Sequence, residues 1–367
     1  MFFDRLLDPF RGKAVTIPPM DGALKPNTAL DEAAALLAAE APDNLVAVKG
    51  RLHFSSGGAL LAVPIGQWWA PPQTVARFDC AVTALTATPD GGLAIGLDDG
   101  RILFQGGALD GREIKSIGPE RLVCPTALAM PHQGGILVAQ GSARHRPSDW
   151  VMDLMEKGST GSVWRIDLET GTETCLDREL GWPSGILVER DHRLVVAEAW
   201  RHRLLRLFPD GRGQAQPVLA KLPGYPARLS PAADGGAWLA LFAPRNRLIE
   251  FVLLEDDYRN DMMREVARDH WIAPSLSSGA SFLEPLQCGS VRTMGVRKPW
   301  APSRSYGLVV RLDDELQPVE SFHSRANGTR HGVTSVIENE GRVLAASKGG
   351  NAILGLDPTS GNGRAAS

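Results

Sequence analysis

A carboxylate at the end of an apolar run is the first feature of this sequence that could do chemistry. Glu198 directly follows the apolar residues 194–197. If that run is a strand that faces a core, an unpaired carboxylate would be costly there, so Glu198 needs a cationic partner such as Arg201, Arg203 or Arg228. Two interpretations stay open at this point, a structural ion pair and a catalytic role.

A histidine and a basic, aromatic segment form the second candidate group. His331 immediately precedes a short apolar run, and histidine is the side chain that changes its charge near neutral pH. Residues 292–306 are basic and aromatic, and together with Arg325 and Arg330 they could frame a pocket mouth that prefers an anionic or aromatic small molecule. The alternative is a solvated basic loop. We expect His331 to be the titrating group near a binding site.

The composition argues against several other kinds of chemistry. A net charge of -3 does not fit a nucleic-acid-binding surface, which would be strongly basic. Cysteines stand at positions 80, 124, 175 and 288, without a CxxC motif, which favours reduced structural thiols and a cytoplasmic location. No Ser-His-Asp, zinc or phosphate-loop pattern stands out. The sequence therefore predicts a partner that is a small molecule and not nucleic acid.

The N-terminal segment suggests neither secretion nor stable membrane insertion. Residues 1–13 contain an early acidic residue and lack an apolar core of the length that a signal peptide needs. A membrane-spanning helix would need about 20 apolar residues. We expect the Phe and Leu side chains of this segment to pack on the body of the protein; the alternative is an amphipathic patch that contacts a membrane surface. The sequence carries no expectation for the oligomeric state.

A repeated unit of short strands must position these candidate residues. Residues 179–207 read as three apolar strands separated by polar turns, and similar stretches recur across the chain. Asp-Gly and Gly-Gly pairs between the strands suit tight hairpin turns, because both tolerate positive φ. We count about six units with a period of roughly 40 residues, which predicts an all-β, six-bladed β-propeller of four-stranded antiparallel blades. A β-sandwich would not produce this repeated order of turn, strand and hairpin.

Three segments interrupt the repeats. Residues 1–42 are expected to form an N-terminal arm with a helix over residues 30–40, where strong helix formers dominate. The propeller is then expected over residues 43–358, with cap insertions at about 142–160 and 255–305 and a flexible tail at 359–367. The first insertion could include a short helix, and the first part of the second has helical spacing. Long loops at one face of a propeller usually cover the mouth of the channel.

Several motifs of the repeats resemble a known family. The motifs are Ser148-Asp149-Trp150, Gly161-Ser162-Val163-Trp164, Trp182-Pro183-Ser184-Gly185, Val196-Ala197-Glu198-Ala199-Trp200 and Gly332-Val333-Thr334-Ser335. They resemble the strictosidine synthase-like branch of the six-bladed propellers that include gluconolactonases and paraoxonases. The resemblance covers most of residues 80–357 and is most specific between 148 and 246.

The resemblance implies a central calcium site in the hydrolytic relatives, held by a Glu, Asn side chains and an Asp-Asn pair. Here the Glu position falls near Thr83, the Asn positions on Thr126 and Ser184, and the pair on Ala227-Arg228. Calcium takes six to eight oxygen ligands, several of them anionic. Because these positions carry no carboxylate and Arg228 would bring a positive charge, we expect that the calcium site is lost and that no cofactor is used. A slipped alignment would instead leave a calcium-dependent lactonase or esterase.

Strictosidine synthase itself also resembles the chain, but it is metal-free and uses one Glu for proton transfer. That Glu falls near Thr334, which cannot act as an acid or base at neutral pH. The name of the family is therefore not taken as the activity, because one fold supports many activities.

The function expected from the residues and the resemblance together is a metal-independent hydrolase or lyase acting on a small organic molecule in the channel. Arg228 would stabilise an oxyanion, and His331 and Glu198 complete the catalytic candidates. The expected substrate-binding residues are Thr83, Thr126, Trp182, Ser184 and Thr334. Trp182 could stack on a ligand. The alternative is a small-molecule-binding propeller that has lost catalysis.

Overall fold

Apolar strands of four to eight residues, each closed by a tight turn, pair with their neighbours in sequence throughout the chain. The computed structural model describes residues 17–131, 134–279 and 303–358, together with 284, 292–293 and 296–297. The expectations for residues 1–16, for residues 294–295 and 298–302 of the basic segment, and for the tail at 359–367 therefore lie outside the described residues.

Six antiparallel sheets of four strands each form the blades, as the sequence predicts. Blade I contains β2 (Pro42–Val48), β3 (Arg51–Ser56), β4 (Ala59–Pro64) and β5 (Gln73–Arg77), and blade II contains β6 (Val82–Ala87), β7 (Leu93–Leu97), β8 (Ile102–Gln105) and β9 (Glu113–Ile114). A small hairpin, β10 (Ser116–Ile117) and β11 (Glu120–Arg121), precedes blade III, which contains β12 (Pro125–Ala129), β13 (Ile136–Gln140), β14 (Gly161–Ile166) and β15 (Glu173–Leu180).

The second half of the chain completes the ring. Blade IV contains β16 (Pro183–Val188), β17 (Leu194–Glu198), β18 (Arg203–Leu207) and β19 (Gln216–Leu219). Blade V contains β20 (Gly224–Pro231), β21 (Ala237–Pro244), β24 (Gly307–Leu312) and β25 (Pro318–Ser324), with the short hairpin β22 (Arg292–Thr293) and β23 (Val296–Arg297) inserted before β24. Blade VI contains β26 (Val333–Asn339), β27 (Arg342–Ser347) and β28 (Ala352–Leu356), and its fourth strand is β1 (Ala34–Ala38).

The first strand of every blade faces the axis of the ring. These six strands, β2, β6, β12, β16, β20 and β26, contact one another in sequence, and β26 contacts β2 to close the circle. Aliphatic side chains fill the space between neighbouring blades, as where Val163 of blade III packs in one cluster with Val196 and Leu205 of blade IV. Each sheet thereby buries both faces, which a single blade could not do alone.

The predicted helix over residues 30–40 is wrong. The helix, α1, covers only Ala29–Glu32, and residues 34–38 form strand β1 in place of an arm. Strand β1 pairs antiparallel with β28, with Ala38 opposite Ala352. Helix propensity is a weak preference that tertiary context overrides, and here the open edge of blade VI supplies that context. Residues 34–42 thus belong to the propeller, which begins earlier than the expected boundary at 43.

Both cap insertions contain the helices that the sequence indicated. The first carries a 3-10 turn (Pro147–Asp149) and α2 (Trp150–Met155), and the second carries α4 (Asp256–Glu265). One more helix, α3 (Arg247–Leu254), follows the second strand of blade V, at the point where the other blades continue into their third strand, and the Asn246 side chain caps its N-terminus. Further 3-10 turns lie at Gly22–Leu24, Gly107–Leu109 and Arg268–His270. Within the described ranges, no helix has the length and apolar character that crossing a bilayer requires.

Candidate functional site in the central channel

Irregular pairing at the start of each first strand turns particular side chains toward the channel. In four blades a single residue is inserted between two regular pairs, namely Thr83, Thr126, Ser184 and Thr334. In blade V Ala227 and Arg228 together stand opposite the single residue Ala240, and in blade I Asn44 and Leu45 stand opposite Phe54. Such bulges re-aim side chains out of the regular alternation of a strand. The channel residues predicted from the sequence therefore occupy the same bulge position in five of the six blades.

Side chains at these bulges form hydrogen bonds from one blade to the next. We call this series the inter-blade belt. In each bond a side chain donates to a main-chain carbonyl of the next blade: Asn44 to that of Val82 (3.2 Å), Thr83 to that of Pro125 (2.7 Å), Thr126 to that of Pro183, and Ser184 to that of Pro226 (2.7 Å). At the equivalent position blade V carries Ala227, which has no hydroxyl to donate. The belt links blades I to V and satisfies carbonyls that would otherwise be unpaired in the channel wall.

The inter-blade belt ends at blade V, and the Arg228 guanidinium forms hydrogen bonds across the gap that it leaves. Nη1 donates to Asp43 Oδ1 at 2.7 Å and to the Thr334 carbonyl at 3.2 Å, and Nη2 donates to the Thr83 carbonyl at 2.6 Å. A side chain from blade V thus contacts blades I, II and VI. About a fifth of the Arg228 side chain is exposed.

Asp43 is the carboxylate at the centre of this arrangement, and sequence reasoning missed it. Burial raises the pKa of the Asp43 carboxyl, but the Arg228 and Lys348 charges and the hydrogen bond from Lys348 outweigh burial and lower the pKa to about 2. Lys348 Nζ lies 3.0 Å from Asp43 Oδ2. The missed signal was local, because Asp43-Asn44 precede an apolar run just as Pro183-Ser184 do.

A cavity of about 340 Å³ opens above this charged group. Its apolar lining comes from Trp150, Trp182, Phe242 and Leu276, together with alanine, valine and proline side chains. Its polar lining comes from Asp43, Thr83, Asp98, Thr126, Ser148, Ser184, Arg228, Thr334 and Lys348. All five expected substrate-binding residues and Arg228 thus meet at one cavity. We call it the polar cavity.

The aromatic wall of the polar cavity is held by the first cap insertion. Trp150, on α2, packs edge-on against Phe242 with ring centroids 5.4 Å apart, and Trp182 stacks on Trp200 at 5.2 Å. The Asp98 carboxylate fixes the start of the insertion, because it accepts hydrogen bonds from the Ser148 N–H at 2.7 Å and the Ser148 hydroxyl at 2.9 Å. The cap therefore contributes directly to the binding surface.

A second cavity, of about 300 Å³, lies farther along the first strands. Its lining includes Leu45, Leu85, Leu128, Ile186, Leu229 and Val336, one residue from each blade, and Arg228. We call it the apolar cavity. Because Arg228 lines both cavities, its side chain lies between them.

Glu198 and His331 lie outside the polar cavity. The fully buried Glu198 carboxylate accepts hydrogen bonds from the Gly181 N–H at 2.7 Å, from Arg201 at 2.6 Å and from Arg203. Two of the three suggested partners are therefore present, and Arg228 is not. This geometry favours the structural ion pair over a catalytic role.

His331 is also committed to protein partners. Its Nδ1 lies 2.8 Å from Ser305 Oγ, and its Nε2 lies 2.7 Å from the Arg325 carbonyl oxygen. Only 3% of the residue is exposed. The structure thus places His331 beside the segment that follows the second insertion, and it does not bring His331 to the polar cavity.

The residues around the channel do not fit the calcium ion that hydrolytic relatives would imply. Asp43 is one carboxylate where calcium would need several anionic oxygens, and the Arg228 and Lys348 cations already neutralise it. Across the ranges that the structure describes, no group of three or more His, Cys, Asp or Glu side chains could hold a metal ion. The Arg228 guanidinium contacts the oxygens that a channel cation would use.

Sequence comparison finds distant relatives over part of the chain. No protein-family model matches the chain. The adipocyte plasma membrane-associated protein of Danio rerio is 28% identical over 113 residues, which are 30% of this chain and 27% of that protein. Strictosidine synthase-like 6 of Arabidopsis thaliana is 25% identical over 137 residues, which are 36% of this chain and 37% of that protein. The chain is thus similar, over about a third of its length, to strictosidine synthase-like proteins.

Solved structures extend the similarity of fold across nearly the whole propeller. A putative gluconolactonase aligns with a TM-score of 0.55 and 13% identity over 89% of this chain and 91% of its own. A luciferin-regenerating enzyme aligns with a TM-score of 0.52 and 12% identity over 91% and 96%. The predicted family resemblance is confirmed. The matched segments span only about a third of the strictosidine synthase-like relative's length. The comparisons therefore support the fold and a distant relationship, but they do not assign an activity.

Proposed function

We propose that this strictosidine synthase-like propeller is a metal-independent hydrolase or lyase that acts on a small organic molecule in the polar cavity. The structural neighbours support an enzyme of this general kind, since they include a putative gluconolactonase, a streptogramin B lyase and a luciferin-regenerating enzyme. The observation that carries the proposal is the contact of Lys348 with Asp43 beside an aromatic wall.

The lining indicates the class of substrate. Trp150, Trp182 and Phe242 offer flat apolar surface, on which an aromatic or cyclic group packs favourably. Lys348 is one-third exposed and offers a positive charge to an anionic or acyl oxygen. A molecule with a flat apolar part and a carboxylate, ester or lactone group matches both features.

The proposed roles follow from how strongly each cation is already held. Arg228 donates to two carbonyls and one carboxylate, so it stays in place and contributes a fixed positive field. Lys348 has one contact with Asp43 and enough exposure to reorient toward a ligand. In acyl transfer or elimination, negative charge develops on a substrate oxygen, and a positioned donor there lowers the barrier. Asp43 remains ionised and positions the ammonium group.

A second candidate, a binding propeller without catalysis, is favoured by one specific observation. The described residues that line the polar cavity include neither His nor Cys, and both carboxylates have partners already. Asp43, with a pKa of about 2, is a weak proton acceptor, and Asp98 accepts two hydrogen bonds from Ser148. A site rich in fixed charge and poor in titrating groups binds more readily than it transfers protons.

One experiment tests the proposal. Aryl esters, lactones and aromatic carboxylates are screened against the wild-type protein in a chelator, with hydrolysis and thermal shift as readouts. Lys348→Met is compared with Lys115→Met, which removes a lysine that pairs with Glu113 on the surface, where 65% of the lysine side chain is exposed.

We expect at least one compound to be turned over, and Lys348→Met to lower kcat/KM about tenfold or more while Lys115→Met has no effect. Binding without turnover, weakened by Lys348→Met, would select the binding propeller instead. Turnover that disappears in the chelator, or that ignores Lys348→Met, would contradict the proposal.

A further inference from the structure

Arg228 has an environment unlike that of an ordinary buried arginine. Its guanidinium contacts three oxygens from three different blades: one carboxylate oxygen of Asp43 and the main-chain carbonyls of Thr83 and Thr334. Carboxylate and carbonyl oxygens gathered on the axis of a ring are ligands suited to a hard cation. Here a side chain supplies the positive charge.

The position of Arg228 explains why these contacts matter to the ring. The inter-blade belt runs from Asn44 to the Pro226 carbonyl and has no hydroxyl at Ala227. Arg228, the next residue, contacts blades I, II and VI on the side where the belt is open. A guanidinium is suited to this role because its donors are fixed in one plane and it stays charged at all ordinary pH values.

The same side chain divides the channel. Arg228 lines the polar cavity and the apolar cavity, which otherwise share no lining residue among those described. The charged group therefore separates a polar compartment next to the cap from an aliphatic one farther along the first strands.

We infer that Arg228 is a built-in channel cation: its guanidinium takes the place of a bound metal ion, ties four blades together and closes the channel between the two cavities. The inference concerns the architecture of the ring and does not depend on whether the polar cavity turns over a substrate. Removal of the guanidinium leaves the Thr83 and Thr334 carbonyls without this donor and leaves Asp43 paired with Lys348 alone.

The test uses Arg228→Ala and Arg228→Lys in the full chain, with calcium titrated by calorimetry and thermal shift, and with terbium luminescence as a second probe. Arg206→Ala is the matched control, because Arg206 also donates through two nitrogens, in its case both to the Glu189 carboxylate, but outside the channel. Arg228→Ala/Asp43→Asn removes the carboxylate from the exposed site.

We expect Arg228→Ala to lower Tm by roughly 5 to 10 °C, because two carbonyls lose their donor. Wild type and all the variants should show no calcium response, because one carboxylate paired with Lys348 is too little to hold the ion. Arg228→Lys keeps the charge without the planar donors, so it should melt between wild type and Arg228→Ala and ignore calcium.

Two outcomes would overturn the inference. One is a folded Arg228→Ala protein that melts like wild type. The other is a calcium or terbium response of the wild-type protein, which would show that the guanidinium does not take the place of a metal ion. If Arg228→Ala does not fold, Arg228→Lys decides, because a wild-type Tm for that variant would show that the planar contacts are not needed.

Discussion

The Ser184 hydroxyl donates a hydrogen bond to the Pro226 carbonyl, 2.7 Å away across the boundary between blades IV and V. The same relationship joins Thr126 to Pro183 and Thr83 to Pro125. Each donor sits at a bulge and each acceptor immediately precedes the bulge of the next blade. The series stops at Ala227, where the chain has a methyl group in place of a hydroxyl.

Ala227→Ser should therefore extend the inter-blade belt and stabilise the protein. A new hydrogen bond of this kind contributes about 1 kcal/mol, so we expect a Tm higher than that of wild type by roughly 2 to 4 °C. Ala240→Ser, an equally buried change in the apolar cluster, serves as control and should lower Tm. A drop in Tm for Ala227→Ser of the same size as for Ala240→Ser would show that the belt does not extend to this position.

Acid should destabilise the protein through Asp43. Its folded-state pKa of about 2 lies below the ordinary 3.8, so the stabilising contribution is fully present above pH 4 and is lost as the pH falls toward 2. The difference corresponds to about 2 kcal/mol of unfolding free energy. Asp43→Asn should be less stable at neutral pH and should lose less stability on acidification.

The measurement is urea unfolding between pH 7 and pH 2.5. Glu250, with a pKa lowered to about 2 by His202 and Arg245 against the opposing effect of burial, supplies acid sensitivity that remains in Asp43→Asn. Asp79→Asn, an exposed change, should follow wild type. Parallel pH curves for wild type and Asp43→Asn would contradict the assignment.

Glu198→Gln should lower stability and leave the polar cavity unchanged. The substitution removes a fully buried charge from Arg201 and Arg203, and because both arginines are partly exposed and can rehydrate, we expect a loss of about 2 kcal/mol. Denaturant unfolding and ligand affinity are measured in parallel, with the surface change Glu113→Gln as control. Normal stability with lost turnover would restore a catalytic role for Glu198.

His331→Ala separates the expected proton-transfer role from a structural one. Since the ring bonds Ser305 and the Arg325 carbonyl, we expect a lower Tm and an affinity for polar-cavity ligands within about twofold of wild type. The decisive readout is the pH dependence of turnover. Loss of one limb of that profile at unchanged Tm would favour His331 as a proton carrier.

The repeated pattern of strand and turn was enough to predict the fold class, because each blade is built from contacts close in sequence. The errors occurred where distant segments decide local structure. Residues 34–38 form a strand only because β28 offers them an edge, and residues 247–254 form helix α3 because β24 completes blade V after the insertion. Neither partner is visible in the local sequence.

The residues of the candidate site were likewise predictable only in part. Thr83, Thr126 and Ser184 occupy one repeated local position, so motif comparison found them together. Lys348 and Asp43 are 305 positions apart and meet only because blade VI closes on blade I. Trp150 reaches the polar cavity from an insertion that has no counterpart in the repeat. Local spacing contains no information about such contacts.

The pairing of β1 with blade VI has a consequence for how the chain is made. Ala41 donates its N–H to the Asn351 side chain, 310 positions later. At about 5 to 20 residues per second, a ribosome needs roughly 15 to 60 s to produce that partner. Throughout this interval the earliest strand has an unpaired edge, which can join strands of other nascent chains. Synthesis on crowded polysomes is therefore a stage at which this strand is open to pairing with the wrong chain.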